Sequence, residues 1–76
     1  MTYETAESLC HQLDVMDRPI GMGDDEWATL VIHLTALLGI AFKARERRDR
    51  TMERDALDQF ADIWDEIQQW EANYDA

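Results

Sequence analysis

The residues of this chain best placed to bind a metal ion are Glu7, His11 and Asp14, which follow one another at spacings of four and three. On a helix these spacings put two carboxylates and an imidazole on one face, and helical di-iron sites use a related Glu-x-x-His pair. Such sites need matched, inward-facing ligands from several helices, and no Glu-x-x-His occurs in this sequence. The cluster lies opposite the apolar side of its segment, so a solvated charged face is favoured and we expect no metal and no cofactor.

A catalytic nucleophile is equally poorly supported. Cys10 and His11 are neighbours, but adjacent residues on a helix point about 100° apart and do not face each other. Cys10 falls on the apolar side of its segment, where a thiol usually serves as inert packing. His33 stands alone in an apolar run, which favours a core or interface histidine. No glycine-rich phosphate loop, nucleophile elbow or His-Glu-x-x-His motif is present, so we expect no enzyme.

Three helical segments must position these residues, because apolar residues recur at spacings of three and four and strand-like alternation appears nowhere. The clear break is residues 17–24, where Pro19 lacks an N–H and two glycines tolerate positive φ. We predict helix 1 from about Tyr3 to Met16, helix 2 from Asp24 through Phe42 into the basic stretch that ends at Arg48, and helix 3 from near Asp49 or Thr51 to about Tyr74.

These segments predict an all-α fold in which residues 1–76 form a single domain, a small three-helix bundle. Helix 1 packs on an α-hairpin of helices 2 and 3. The junction between helices 2 and 3 contains neither Gly nor Pro, so a tight turn and one long bent helix are both open. We favour a turn near residues 49–51.

Helix 2 is apolar on two sides. One side carries a stripe of large residues from Trp27 to Phe42, and a helix that is apolar nearly all round is buried nearly all round. A chain this short has a marginal core, and its single cysteine allows no internal disulfide, which leaves self-association as support. We predict a homodimer through the small-residue side, although helix 1 could instead cover it. That side comprises Ala28, Ile32, Ala36 and Gly39.

The net charge of −10 is unevenly distributed. Residues 43–54 hold six bases and three acids, whereas residues 55–76 hold seven acids and no base. Phosphate binding needs a basic surface, so we do not expect direct binding of nucleic acid. The basic segment either contacts an acidic partner or pairs internally, as Glu46 with Arg50 and Arg54 with Asp58. We favour internal pairing.

The acidic residues of helix 3 form the most suggestive pattern. They follow a 3-4-3 spacing that places successive carboxylates about one turn apart, roughly 5–6 Å. They are either a solubilising outer face or a contact surface for a basic partner. An apolar anchor near the chain end is a further candidate, with core packing as its alternative. The acidic contact face comprises Asp55, Asp58, Asp62, Asp65 and Glu66, and the apolar anchor comprises Trp70 and Tyr74.

These features predict a non-catalytic interaction protein that binds and modulates or inhibits a protein partner with a basic surface. The alternative is a nucleic-acid mimic, whose acidic helix faces block a basic nucleic-acid-binding site on a nuclease, repressor or polymerase. A lone thiol and the absence of a basic, apolar leader predict a cytoplasmic location. The uncharged run of residues 27–42 is shorter than the ~20 residues that span a bilayer, so we expect no membrane contact.

Overall fold

The computed structural model describes the backbone of residues 1–75 and the side chains of residues 1–70. Three helices and no strand make up this part of the chain, which confirms the all-helical prediction. They pack into a compact bundle measuring 42 × 20 × 17 Å. The helices are α1 (Tyr3–Leu13), α2 (Asp24–Glu46) and α3 (Arg50–Asp75).

Short polar side chains define where two of the helices begin. Thr2 precedes α1, and its hydroxyl oxygen accepts a hydrogen bond from the backbone N–H of Thr5 at 3.2 Å. Asp49 precedes α3, and its Oδ1 accepts from the N–H of Met52 at 3.1 Å. Each bond satisfies an N–H that has no partner inside its helix. Helix α2 follows Gly23 without a side-chain cap, and acidic residues fill its first turn, where they suit the helix dipole.

A tight turn separates α2 from α3, as predicted, but it comprises residues 47–49 and so lies two residues earlier than expected. Arg48 adopts the left-handed conformation with φ 58°. Its N–H donates to the carbonyl of Arg45 at 3.1 Å, and the N–H of Asp49 donates to that of Ala44 at 2.8 Å. These two bonds form a Schellman motif, which normally places glycine at the left-handed position.

The core lies where α2 and α3 face each other and α1 packs across them, as the bundle prediction requires. Phe60, Leu34 and Ile67 are the largest fully buried side chains. Burying such a side chain contributes roughly 1.5–3 kcal/mol. The buried residues of the helices are Ala6 and Leu13 from α1, Leu34, Ala41 and Ala44 from α2, and Ala56, Leu57, Phe60 and Ile67 from α3.

Helix α1 lies antiparallel to α2. The ring centroid of Tyr3 is 6.3 Å from that of Phe42, so the start of α1 is beside the end of α2. Helix α1 ends at Leu13, three residues before the predicted end, and the chain returns through residues 14–23 to the start of α2. Pro19 and Met22 in this connection are buried, so the predicted loop also covers part of the bundle.

Two large apolar residues of α2 and α3, Phe42 and Met52, border the packed sides of their helices and are exposed. Phe42 lies beside the ring of Tyr3 at the edge of the packed side of α2 and retains 49% of its accessible surface. Met52 retains 37%. It borders an open cleft with Leu37 and Ile40, and no residue of α1 lines that cleft.

Candidate interaction surfaces

The side of α2 opposite the core is uncovered, and we call it the free face. Helix α1 packs elsewhere, so the alternative in which α1 covers this side is wrong. Ile32 is 66% exposed and Ile40 is 39% exposed. The free face carries no charged residue over about three turns, and all its members are exposed: Ala28, Thr29, Ile32, His33, Thr35, Ala36, Gly39 and Ile40.

The polar groups of the free face are largely satisfied within the helix. The hydroxyl of Thr29 donates to the carbonyl of Asp25 at 2.8 Å, and that of Thr35 donates to the carbonyl of Val31 at 2.9 Å. The threonine hydroxyls are therefore already bonded before any partner arrives. A Cβ added at Gly39 would meet nothing within 4 Å. Nothing in the described chain thus requires glycine there, although glycine costs about 1 kcal/mol relative to alanine inside a helix.

Helix α2 is also the single helix among the described residues that is long and apolar enough to cross a membrane. Only 17% of its apolar window is buried inside the protein. Length and composition alone do not separate a membrane span from a helix that packs against another protein. The charged residues at the two ends of α2 are therefore needed to choose between a membrane span and a protein interface.

The predicted acidic contact face of α3 is exposed at all five positions: Asp55, Asp58, Asp62, Asp65 and Glu66. The structure brings these residues together on the side of α3 opposite the buried Phe60 and Ile67. Within the described side chains, none of the five forms an ion pair. Because α2 and α3 turn their buried sides toward each other, the free face of α2 and the acidic face of α3 point in opposite directions.

The basic segment pairs internally at Arg45, but the two predicted pairs, Glu46 with Arg50 and Arg54 with Asp58, do not form among the described side chains. The described side chains form two ion pairs, Arg18 with Asp24 at 2.8 Å and Arg45 with Glu4 at 3.0 Å. Glu46 and Arg50 belong to different helices, so a spacing of four no longer brings them together. Arg54 and Asp58 share α3 but follow the base-first order, which is the weaker one.

Arg45 lines an open cleft of about 400 Å³ at the start of α1. Its guanidinium lies 4.7 Å from the ring centroid of Tyr3 and bonds to Glu4. A backbone N–H and Arg45 hold the pKa of Glu4 below its usual value, and the bond to Glu4 raises the pKa of Arg45. Burial, followed by Glu7, raises the pKa of Tyr3. The cleft also contains Arg50, Arg54 and Glu53, so its charges are mixed and select no single kind of ligand.

The described structure assembles no site from Glu7, His11, Asp14 and Cys10. Glu7, His11 and Asp14 are exposed on α1, and no group of three potential metal-binding side chains occurs among the described residues. Cys10 is half-buried, and burial followed by the charge of Asp14 raises the pKa of its thiol. A raised pKa reduces the thiolate fraction, which is the reactive form.

The structure places His33 at the surface and Trp70 of the predicted apolar anchor half-buried. His33 is exposed on the free face. Of its two predicted roles, a core histidine is therefore excluded and an interface histidine is left. Trp70 is half-buried near the end of the described side chains, consistent with a packing role. The side chain of Tyr74 lies outside the described residues.

Comparison of the chain with protein-family models, with curated proteins and with solved structures found no match. The candidate functions therefore rest on the surfaces themselves. The two that stand out are the uncharged free face of α2 and the acidic face of α3.

Proposed function

We propose that this chain is a non-enzymatic interaction protein that binds a basic surface of a protein partner through the acidic face of α3 and thereby modulates or inhibits that partner. The observation that carries the proposal is the acidic face itself: five exposed carboxylates with no ion-pairing cation among the described side chains. Such a face attracts a basic partner at long range and accelerates encounter.

The proposal includes a homodimer through the free face of α2. An exposed apolar patch of this kind marks an interaction site more often than a bare surface. A second copy of the chain is always available, and symmetric pairs are the commonest oligomers. The small core of a short chain also benefits from the apolar area that a dimer removes from water.

The test of partner binding uses the full chain with an affinity tag, incubated with lysate from its source cell at low ionic strength. The triple variant D58N/D62N/D65N removes three charges from the acidic face and should lose the partner that the wild-type chain captures. The matched variant E7Q/D14N/D17N removes the same charge from exposed positions on α1 and the following connection, and should retain it. Equal loss from both variants would mean that net charge, rather than this face, governs capture.

A second candidate function is mimicry of nucleic acid. It is favoured by the regular repeat of Asp55, Asp58, Asp62 and Asp65 along one line of α3, all exposed. This repeat places negative charge at intervals of roughly 5–6 Å, as a phosphate backbone repeats its charges. A mimic competes with nucleic acid for the same basic groove.

Competition distinguishes the mimic from a general interaction protein. A captured partner is mixed with labelled duplex DNA, and the wild-type chain is then titrated into the complex. Displacement of DNA by the wild-type chain, but not by D58N/D62N/D65N, supports mimicry. A partner that does not bind DNA, or that binds DNA and this chain together, leaves only the general proposal.

A further inference from the structure

We infer that two copies of this chain associate through the free faces of α2 in an antiparallel orientation, with Asp25 of each copy opposite Lys43 of the other. The inference rests on the proposed homodimer and specifies its orientation and register. It comes from the charges that border the free face. Acidic residues occupy the first turn of α2, and Lys43 and Arg45 occupy the last.

Asp25 and Lys43 lie on one line along the helix. They are 18 residues apart, which is five full turns at about 100° per residue. Both are exposed, and the line between them runs along the middle of the free face, between Ile32 and Ala36. The free face therefore has a negative charge at one end, a positive charge at the other and none between.

This charge pattern selects the orientation of a helix pair. A parallel pair places Asp25 beside Asp25 and Lys43 beside Lys43, so both ends repel. An antiparallel pair related by a twofold axis places opposite charges together at both ends. The two contacts are about 27 Å apart at 1.5 Å per residue, so they act independently and fix the register together.

The side chains between these contacts match in size in the same register. With Asp25 opposite Lys43, residues whose numbers add to 68 lie at the same height on the two helices. Ile32 and Ala36 lie within about 20° of the middle of the face, one on each side of it, so Ile32 of each copy meets Ala36 of the other and a larger side chain packs against a smaller one. Close approach of the two helices would use the open space at Gly39.

A lipid bilayer is the competing occupant of this face, and the charges and packing oppose it. The uncharged run of residues 27–42 is shorter than the ~20 residues that span a bilayer. The other side of α2 is packed against α1 and α3 through Leu34, Ala41 and Ala44. Insertion of α2 across the bilayer would require α2 to leave this core or to bring the acidic face of α3 into the membrane, and both are costly.

The experiment is sedimentation equilibrium of the full chain at low ionic strength, comparing single and double charge swaps. D25K and K43D each place like charges at both contacts and should weaken the dimer by roughly tenfold or more. The double variant D25K/K43D restores opposite charges and should recover the wild-type dissociation constant. D62K makes the same charge change as D25K on the outer face of α3 and should leave self-association unaltered.

A second variant tests the dimer independently in case a charge swap disturbs folding. Gly39→Leu fills the open space at the free face and should give a monomer whose circular dichroism remains helical. If the single variants leave the dimer dissociation constant unchanged, or if the double variant fails to recover it, the antiparallel register is overturned even if a dimer forms.

A wild-type chain that stays monomeric would overturn the dimer as well. A monomer that also co-sediments with phosphatidylcholine vesicles would assign the free face to membranes. Capture of a basic partner through the acidic face is measured separately, so its success or failure is independent of these results.

Discussion

Arg45 of α2 lies over the ring of Tyr3 in α1, with its guanidinium carbon 4.7 Å from the ring centroid. The same guanidinium donates from Nη1 to Oε1 of Glu4 at 3.0 Å. One side chain therefore holds two consecutive residues at the start of α1 against the end of α2. Because α1 contributes only Ala6 and Leu13 to the buried residues of the core, these surface contacts help to position it.

Replacing Arg45 with methionine keeps a long apolar stem but removes the charge and the donor. We expect Arg45→Met to lower the midpoint of thermal unfolding and to loosen the start of α1, because the contacts with Tyr3 and Glu4 are lost together. Thermal unfolding by circular dichroism measures the first effect, and amide exchange at Thr5 and Ala6 measures the second. Arg47→Met is the control, since its side chain forms no ion pair among the described residues.

The contribution of Glu4 should depend on pH. Its pKa is lowered in the folded protein, first by a backbone N–H and then by Arg45. A lowered folded pKa means that the stabilisation is present above the unfolded pKa and is lost as pH falls through the folded pKa. Urea unfolding should therefore show Glu4→Gln less stable than wild type near neutral pH, and the two proteins should converge well below about pH 4. A difference that persists at acid pH would contradict this assignment.

The sequence predicts the helices well because their apolar residues repeat with the helical period on α1 and α3. It also predicts the free face, since helix 2 has more apolar surface than one packed side can bury. The turn between α2 and α3 is harder to place, because an arginine occupies the left-handed position where glycine is the usual signal. This turn also places Glu46 in α2 and Arg50 in α3, and a spacing of four brings side chains together only inside one helix.

Side-chain detail at the surfaces could be predicted only in part. The exposure of Asp55, Asp58, Asp62 and Asp65 follows from their position opposite the apolar face of α3. The stacking of Arg45 on Tyr3 does not follow from sequence, because it depends on where α1 meets α2. That placement is set by long-range packing, which local periodicity does not encode.

Glycine at position 48 should stabilise the fold. A left-handed conformation costs a non-glycine residue about 1–2 kcal/mol, of which the greater flexibility of unfolded glycine offsets roughly 0.5–1 kcal/mol. We therefore expect Arg48→Gly to raise the free energy of unfolding by about 0.5–1 kcal/mol. Arg47 has φ −85°, so Arg47→Gly should lower stability instead. Urea denaturation of both variants tests the Schellman turn, and equal changes of the same sign would contradict it.

The Cys10 thiol should react slowly while the protein is folded. Its pKa is raised, mainly by burial, so less thiolate is present at mildly alkaline pH than in the unfolded chain. We expect alkylation by iodoacetamide to be several-fold slower in buffer than in denaturing urea. By the same linkage, folding stability should fall as pH rises above the unfolded thiol pKa. Equal rates in the folded and unfolded states would show that the thiol is freely accessible.

The opposite orientation of the two surfaces determines how many partners one assembly could hold. Because the free face of α2 points away from the acidic face of α3, self-association and partner capture would not compete for space. A dimer through α2 would place its two α3 helices on the outside, roughly 24–30 Å apart across three helix–helix spacings of 8–10 Å. Such an assembly is bivalent, so a partner that presents two basic sites at that separation would gain avidity, by as much as 10²–10⁴ in favourable cases. A partner with one site would bind in a two-to-two stoichiometry without that gain.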